Sequence, residues 1–470
     1  MYNHIKGRYY LLLIAIFAIG FSSCRSYKNL PEAPQADTQG LIRDSIANTD
    51  TTTIANIPWK EYFTDAKLQT LIAEALNNNF DLQIAMQRIR QSEATFSMSR
   101  GALLPSVSAG LQETHQRTSS KAGETNVLGY YTNMMSLGFT ASWEIDLWGK
   151  LNNQSKSRYA GLLSSYEYRN LVQTTLISNI AKAYYNLLAL DEQLKITRET
   201  IGLLEKSTQT IAELKEAGQQ NAAAVEQSRA LLYNTQIMVP QLESQIRKQE
   251  DAISALLGRT PSGIDRDSIN HELVSDRLAY GVPAQMLAKR PDVRQAELSF
   301  RSAYALTNVA KANFYPSLTL TTASFGLAAG GFTDLFKPES VAAQLIGGLT
   351  QPIFNKKQVR GNYKIALAQK EEALLNFKSV VLSAGQEVSD ILFGYSASLR
   401  KNAFREKQIT SLTNAVDFTQ ELLSAGEANY TEVLNAQQSL LNAQLNRVND
   451  KLEQLTYSVS LYKALGGGTK

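Results

Sequence analysis

The chain repeats itself once, with two slightly different offsets. Asp81 returns as Asp292 (292 − 81 = 211), and Gly218 returns as Gly426 (426 − 218 = 208). The longer offset also relates Arg90, Ala94 and Pro105-Ser106 to Arg301, Ala305 and Pro316-Ser317. The shorter offset relates Ala217, Asn221, Val225, Leu232, Asn234, Gln236 and Gly258 to Ala425, Asn429, Val433, Leu440, Asn442, Gln444 and Gly466. The repeat is far longer than a solenoid unit, so it predicts two large related units that can form a pseudo-symmetric wall.

The first 24 residues have the layout of a secretory signal. Lys6 and Arg8 precede an apolar stretch that is too short to span a bilayer as a helix. Cys24 follows two serines and is the only cysteine, so no disulfide can form within the chain. We therefore predict that residues 1–23 are a removed signal peptide and that Cys24 takes acyl chains. The alternative is an ordinary cleavage site with a bystander cysteine.

The charge of the chain excludes one class of partner. Without residues 1–23 the formal net charge is (47 − 2) − 43 = +2. The basic residues are scattered and form no Lys/Arg block, so nucleic-acid binding is not predicted. No later segment has a long uninterrupted apolar run, so a transmembrane helix is not predicted either, and any membrane crossing must use strands.

The periodicity changes along each copy. Residues 24–60 predict an extended tether, and helical spacing then runs from Asp65 to Leu103. After Pro105 apolar residues alternate with small polar ones in residues 107–112 and 135–147, and again near residues 318–320 and 343–345. This alternation, with aromatic residues near the strand ends, is typical of a transmembrane β-barrel. A half-buried soluble hairpin has the same pattern.

Two long helices follow in each copy. Residues 151–217 contain no proline and have heptad-like apolar spacing, which predicts roughly 100 Å of helix at 1.5 Å per residue. Gly218 suits a left-handed helix end, and a helix then returns from Asn221 to Leu257, with a kink expected at Pro240. In the second copy we predict helices over residues 384–425 and 430–465, with Gly426 at the turn. Helices this long must pack side by side.

Five segments resemble a known family. They are Ser142-Trp143-Glu144-Ile145-Asp146-Leu147-Trp148-Gly149-Lys150-Leu151, Leu256-Leu257-Gly258-Arg259-Thr260-Pro261, Lys289-Arg290-Pro291-Asp292-Val293-Arg294-Gln295-Ala296-Glu297, Tyr315-Pro316-Ser317-Leu318 and Gln351-Pro352-Ile353-Phe354-Asn355. These segments are similar to the TolC-type outer-membrane factor family, and more narrowly to its NodT-like lipoprotein branch. The likeness covers essentially everything after the tether.

The resemblance implies an α+β membrane protein that is internally duplicated. Four transmembrane β-strands per chain would join a β-barrel shared by a homotrimer, and the long antiparallel helices would form a periplasmic α-barrel. The implied units are a lipidated N-terminal tether (24–60), a first repeat (61–262), a link (263–283) and a second repeat (284–470). A small sheet leaves edges that lipid cannot satisfy, which independently favours association.

The resemblance also implies a function and partners. The chain would be the outer-membrane exit duct of a tripartite efflux pump in a Gram-negative cell, passively conducting small molecules from the periplasm to the exterior. Its partners would be outer-membrane lipid, a periplasmic adaptor and an inner-membrane pump of the resistance-nodulation-division type. Two other functions remain open at this point: a type I secretion duct for polypeptides, and a non-conducting periplasmic coiled-coil lipoprotein.

By the same resemblance, the two helical turns are periplasmic tips that dock the adaptor. The predicted contacts are Gly218, Gln219, Gln220, Asn221, Gly426, Glu427, Ala428 and Asn429. The alternative is that these residues only cap helices. Family members often carry an acidic residue in the helix after the second tip. Here the matching position is Asn435, with Glu432 and Glu427 the nearest carboxylates, so Glu432 and Asn435 are the gate or lumen candidates.

No constellation for catalysis or metal binding is predicted. Of the three histidines, His4 lies in the removed segment, His115 in a predicted external loop and His271 in the link, with no pair at helical spacing. The methionines are dispersed, which does not favour a soft-metal conduit. Glu144 and Asp146 lie in a strand-to-helix corner, where capping is the expected role. We therefore expect no enzyme and no cofactor other than the lipid on Cys24.

Overall fold

The computed structural model describes residues 28–32, 34, 41–43, 57–117, 131–272, 287, 289–427 and 429–469. Cys24 and the predicted signal peptide lie outside these residues. Contacts divide the chain into two compact units. Apart from N-terminal residues, the first comprises Arg88–Tyr166 and Gln295–Phe377, and the second comprises Ala36–Gln87, Glu167–Arg294 and Lys378–Lys470.

Both copies have the same order of elements. The first contains helices Trp59–Tyr62 (α1), Ala66–Asn78 (α2) and Phe80–Gly101 (α3), strands Ser106–Arg117 (β1) and Tyr131–Ile145 (β2), and helices Lys150–Glu216 (α4) and Ala222–Leu256 (α5). The second contains helix Pro291–Ala312 (α6), strands Ser317–Ala329 (β3) and Val341–Thr350 (β4), and helices Gln358–Ser424 (α7) and Tyr430–Ala464 (α8). Helices α4 and α7 both have 67 residues, and α5 and α8 both have 35. The predicted pattern of helix, strand pair and two helices is therefore confirmed in each copy.

The structure corrects several of the predictions for individual segments. The helix predicted from Asp65 to Leu103 is broken at Asn79, whose backbone is extended and whose side chain accepts a hydrogen bond from the N–H of Leu82 at 3.1 Å. Helix α7 begins 26 residues before the predicted Ala384 (384 − 358 = 26). Only three of those residues are buried, so the early part of α7 has too sparse an apolar stripe to be recognised. His115 lies within β1, paired with Asn133 of β2, and not in an external loop.

The four strands form one antiparallel sheet in the order β1-β2-β3-β4. Phe139 of β2 pairs with Phe325 of β3, which pairs with Ala343 of β4. Residues that pair in register lie on the same face of a sheet. These residues, with those two positions away along each strand, therefore form an apolar face. The other face carries small and polar residues, including Ser136, Thr140, Ser324 and Gln344. The alternation seen in the sequence therefore corresponds to a sheet with two different faces.

A row of small residues crosses the polar face. Gly110, Gly138, Gly326 and Ala342 are consecutive partners across the four strands. A Cβ atom on Gly326 would lie 2.2 Å from Leu137 O, and one on Gly138 would lie 2.7 Å from Phe325 O. Strands β2 and β3 therefore approach so closely at this level that only glycine fits, as expected where a sheet bends.

The long helices form two antiparallel hairpins. In the first, Arg198 of α4 pairs with Glu243 of α5 at 2.7 Å. In the second, Arg405 of α7 pairs with Asp450 of α8 at 2.8 Å. Helix α5 continues through Pro240. Within the described part of the chain, no helix combines the length and hydropathy needed to cross a bilayer.

The core of the second unit is built from both copies. It joins residues of α1 and α2 to residues of the two hairpins, among them Trp59, Leu68, Ile72, Ile180, Tyr184, Leu187, Ile253, Leu257, Val459 and Tyr462. Tyr62 stacks on Tyr462 with ring centroids 4.2 Å apart. The beginning of the first copy and the end of the second are thus packed into one cluster.

Candidate functional site

The first hairpin turns at Gly218, just after α4. Gly218 has a φ of 75°. Its N–H donates to Lys215 O at 2.9 Å, and the N–H of Gln219 donates to Leu214 O at 2.8 Å. These two bonds form a Schellman motif, in which a left-handed residue satisfies the last carbonyl groups of a helix. The predicted left-handed glycine is confirmed.

Asn221 closes the other side of this turn. Its side-chain oxygen accepts a hydrogen bond from the N–H of Ala224 at 2.9 Å, which is an N-cap for α5. Between the two caps Gln219 is exposed and Gln220 is half-buried. The four residues predicted for the first tip therefore form one closed turn, with the Gln219 side chain facing solvent.

The second hairpin has the same turn. Gly426 has a φ of 76°, and its N–H donates to Leu423 O at 3.1 Å. The N–H of Glu427 donates to Leu422 O at 2.9 Å, which completes a second Schellman motif. Asn429 caps α8 by accepting from the N–H of Thr431 at 3.2 Å. Ala428 lies outside the described residues. The repeat therefore preserves both the glycine stop and the asparagine cap.

One apolar cluster carries both turns. It consists of Ile211 from α4, Ala224 and Val225 from α5, Leu423 from α7, and Val433 and Leu434 from α8. A hydrogen bond of 2.6 Å between the Thr208 and Ser228 hydroxyl groups joins α4 to α5 beside it. Its six buried side chains, with Ala212, Leu214, Leu231 and Tyr430 packed against them, are far fewer than those of the main core of the second unit. The four helix ends are therefore held together less strongly than that core.

The gate candidates share one exposed side of α8. Glu432 lies in the first helical turn, and Asn435 lies three residues later. Both side chains are exposed, whereas Val433 and Leu434 between them face the cluster. A carboxylate in a first helical turn is favoured by the helix dipole, so the position of Glu432 also has a structural reason.

The two tips differ in charge. Near the first tip, Lys215 pairs with Glu216 at 3.0 Å, and Arg229 pairs with Glu226 at 2.8 Å. The second hairpin contains no lysine or arginine between positions 408 and 446, where it carries Asp417, Glu421, Glu427 and Glu432. The first tip is therefore balanced and the second is acidic. Counting charges around each turn would have revealed this difference from the sequence.

The acidic residues and histidines for which the sequence predicts no catalytic or metal-binding role have structural partners. The Asp146 carboxylate accepts from the N–H groups of Leu151 at 3.0 Å and Asn152 at 2.8 Å, so it caps α4 as predicted. Lys150 donates to Glu144 at 2.8 Å. His115 lies beside Glu113 and within 2.7 Å of the Asn133 side-chain oxygen, and His271 lies beside Asp267. Among the residues that the structure describes, no group of three or more His, Cys, Asp or Glu side chains could hold a metal ion.

Arg290 fastens the start of the second copy. Its guanidinium donates to both oxygens of Asp292 at 3.0 and 2.8 Å, to Glu387 at 2.7 Å and to Ala464 O at 2.9 Å. Burial acts to raise the pKa of Asp292, but the hydrogen bond and charge of Arg290 outweigh it and the pKa is lowered. This Arg-Pro-Asp segment belongs to one of the five segments that resemble the family, and in this structure it joins α6 to α7 and α8.

The half-buried Asp65 and the buried Glu272 form an acidic pair at the start of α2. Asp65 caps α2 by accepting from the N–H groups of Lys67 at 2.6 Å and Leu68 at 3.3 Å, and it also accepts from the Tyr184 hydroxyl. Glu272 is 5% exposed. Burial, together with its hydrogen bond to Asp65, raises the pKa of Glu272 to about 8. Sequence reasoning missed this pair because its members are far apart in the chain.

Comparisons with known proteins agree with this architecture. The sequence profile described as "Outer membrane efflux protein" matches residues 71–259 and 282–467. The pyoverdine export outer membrane protein OpmQ of Pseudomonas putida is 32% identical over 419 residues, covering 87% of this chain and 88% of OpmQ. The probable outer membrane lipoprotein SilC of Salmonella typhimurium is 27% identical over 441 residues, covering 93% and 94%.

A solved structure has the same fold. A crystal structure of CusC, from work on transmembrane channel formation, is 25% identical and superposes with a TM-score of 0.83, covering 93% of this chain and 99% of CusC. The predicted α+β channel fold and outer-membrane location are confirmed. The chain therefore belongs to the outer membrane efflux protein family, a family of channels and not a class of enzymes, and is an efflux channel of the outer membrane.

Proposed function

We propose that this channel is the exit duct of a tripartite pump, in which a periplasmic adaptor and an inner-membrane pump of the resistance-nodulation-division type deliver substrate to it. Substrates pass through unchanged and without a cofactor. The observation that carries the proposal is the pair of hairpin turns, 208 residues apart, that close with the same Schellman motif and asparagine cap on one shared cluster. Two preformed turns of this kind offer a partner a binding surface that needs little ordering.

The sheet supports a homotrimer. Among the described strands, β1 and β4 each have one neighbour, so each leaves a row of unpaired backbone groups. Such an edge is not tolerated in lipid. Three copies supply 3 × 4 = 12 strands, an even number within the range of outer-membrane barrels. In this arrangement β4 of one protomer pairs with β1 of the next, and the small polar face lines the bore.

The tips supply the gate. Their shared cluster is small, so it can rearrange at a lower cost than the main core. When the adaptor engages Gln219 and Glu427, the helix ends separate and widen the passage. Glu432 and Asn435 lie beside the second turn on an exposed side of α8, where they can face the bore.

The N-terminus anchors the channel. We assign residues 1–23 to a removed signal peptide, Cys24 to lipid attachment and residues 24–60 to the tether, followed by repeats at 61–262 and 284–470 joined by 263–283. The lipoprotein name of SilC supports the anchor. The export of pyoverdine named for OpmQ supports a small-molecule cargo.

Site-specific crosslinking in intact cells tests the adaptor contact. A photoreactive amino acid is best placed at Gln219 or Glu427, because both are exposed and neither side chain caps a helix. Asn221 and Asn429 are poorer sites, since replacing a cap costs about 1 kcal/mol. A matched control carries the same group at Met98 of α3, which is also exposed.

We expect both tip positions to capture one periplasmic protein that Met98 does not capture. Capture of the same proteins at all three positions, or of none at the tips of a correctly assembled channel, would contradict the adaptor contact.

A further inference from the structure

Each copy turns from its second strand into its first long helix at a corner, which comprises residues 144–150 in the first copy. The charged groups of this first corner all have partners. The Asp146 carboxylate accepts from two backbone N–H groups of α4. Lys150 pairs with Glu144. Gly149, just before α4, has a φ of 71°. The charged groups of this corner therefore pair with one another or with backbone N–H groups, and a glycine occupies its left-handed position.

The corner of the second copy has a different composition at matching positions. Counted by the 208-residue offset between the starts of α4 and α7, the carboxylates of the first corner are replaced by apolar residues and its Trp-Gly pair by two lysines. The replacements are Pro352 for Glu144, Phe354 for Asp146, Lys356 for Trp148 and Lys357 for Gly149. The second corner has thus lost its negative charge and gained positive charge.

The two lysines hold an unfavourable backbone conformation. Lys356 has a φ of 52° and Lys357 a φ of 67°, and they are the only described residues other than glycine with a positive φ. Side chains with a Cβ enter this region at an energetic cost. Backbone strain of this kind persists where the surroundings or a function require it. Asparagine or glycine would fit the turn better, so the turn alone does not account for lysine.

The side chains of this corner point into solvent. Ile353 is 99% exposed and Phe354 is 85% exposed. Lys356, Lys357, Arg360 and Lys364 are exposed and form no ion pair with any described residue. The sequence contains no acidic residue between Glu339 and Glu371. Because positive charge at the start of a helix opposes the helix dipole, α7 itself gives no reason for Lys356, Lys357 and Arg360.

The second corner directly follows the end of β4, where Thr350 pairs with Ser317 at the start of β3. At the same end, Trp148 stacks on Tyr315 with centroids 4.9 Å apart, and its indole N–H donates to Pro316 O at 2.7 Å. Aromatic side chains of this type mark the boundary between hydrocarbon and water in membrane proteins. The exposed apolar pair and the cations therefore lie where the membrane-facing strands end and the helices begin.

We infer that this corner, Ile353–Lys357 with Arg360 and Lys364, binds the headgroups of anionic phospholipids. Ile353 and Phe354 enter the acyl region, while the cations contact the lipid phosphates. The leaflet follows from the proposed function: if the helices extend into the periplasm, the corner contacts the periplasmic leaflet, which consists of phospholipid. Continuity with the membrane-facing sheet favours lipid over a neighbouring protomer as the occupant.

The test measures lipid binding by the purified full-length channel in detergent. Phosphatidylglycerol and phosphatidylethanolamine are titrated separately and followed by native mass spectrometry. The variant K356N/K357N removes two charges while keeping residues that tolerate a left-handed backbone. The control K156Q/R158Q removes two charges from α4 in the first copy. Each lysine near an anionic surface contributes about fivefold in affinity, so the variant, which lacks two lysines, is expected to bind phosphatidylglycerol about 25-fold more weakly.

Three further readouts decide the inference. Phosphatidylethanolamine binding and the control should change little, and millimolar inorganic phosphate should not displace phosphatidylglycerol. Unchanged phosphatidylglycerol binding by the variant, or displacement by inorganic phosphate, would overturn the lipid site. A trimer that falls apart while its lipid affinity stays normal would assign the corner to a neighbouring protomer. Single-channel conductance of the variant should match the wild type, so a failure of this inference is distinguishable from a failure of the proposed duct.

Discussion

Replacing Gly218 or Gly426 by alanine should loosen the tips by an amount that the backbone alone determines. A Cβ atom at either position would meet nothing within 4 Å, so no clash contributes. Both residues have φ values near 75°, and an alanine there costs about 1 to 2 kcal/mol. Loss of chain entropy in the unfolded state offsets about 0.4 to 1 kcal/mol of that cost. The net expectation is about 1 kcal/mol for each tip.

Hydrogen exchange of the assembled channel, followed by mass spectrometry, measures this effect locally. The reporting amides are those of Gln219 and Glu427, which close the Schellman motifs. A loss of about 1 kcal/mol in opening free energy speeds their exchange about fivefold. The channel should still assemble, because the main core is elsewhere in the second unit.

Two comparisons make the reasoning refutable. Gly218→Asn should exchange nearly as slowly as the wild type, because asparagine tolerates the left-handed region. Gly258→Ala should cost clearly more than either tip variant, since its Cβ would lie 2.6 Å from Asn78 O. If the tip alanines leave exchange unchanged, or if asparagine accelerates it equally, backbone conformation is not what holds the tips closed.

Three other substitutions test the rest of the structure. Arg290→Ala should lower the melting temperature strongly, since truncating one member of a buried ion-pair network costs about 3 to 5 kcal/mol. A melting temperature like that of the wild type would show that Arg290 does not hold the start of the second copy in place. The pKa of Glu272 is raised in the folded state, so the stability that this group contributes is complete below the unfolded pKa near 4.5 and is lost as pH rises to about 8. The Glu272→Gln variant should therefore show a smaller fall in melting temperature than the wild type over that pH range. A parallel fall in both proteins would contradict the burial of this carboxyl group. Gly326→Ala should block correct membrane assembly because its Cβ would collide with Leu137 O. Gly110→Ala in the same row should assemble normally, because a Cβ there would meet nothing within 4 Å. Equal assembly of both variants would refute the close approach of β2 and β3.

Much of the fold could be predicted because local signals and the repeat agreed. Gly218 and Gly426 end their helices as their positions predicted, and Asp146 caps α4. Period-two alternation identified all four strands, although most of their ends lie further out than predicted, and β2 ends at Ile145, two residues before its predicted end. These features depend on neighbours in the chain, so one sequence contains the information.

The errors arose where tertiary contacts decide the structure. Asn79 breaks the first long helix because its amide also donates to Leu256 O at 2.9 Å, a contact across 177 residues. The early part of α7 has few buried residues, so it lacked a recognisable stripe. The close contact of Asp65 with Glu272 and the left-handed lysines of the second corner have no sequence pattern of their own. The adaptor contacts and gate residues stay predictions.

The most direct test of the account is a high-resolution electron cryomicroscopy map of the channel in lipid nanodiscs. We predict three protomers around one axis, with β4 of each hydrogen-bonded to β1 of the next and the row of Gly110, Gly138 and Gly326 facing a water-filled bore. A map in which β1 and β4 of a single chain pair with each other, or in which the polar face is packed and dry, would contradict the account.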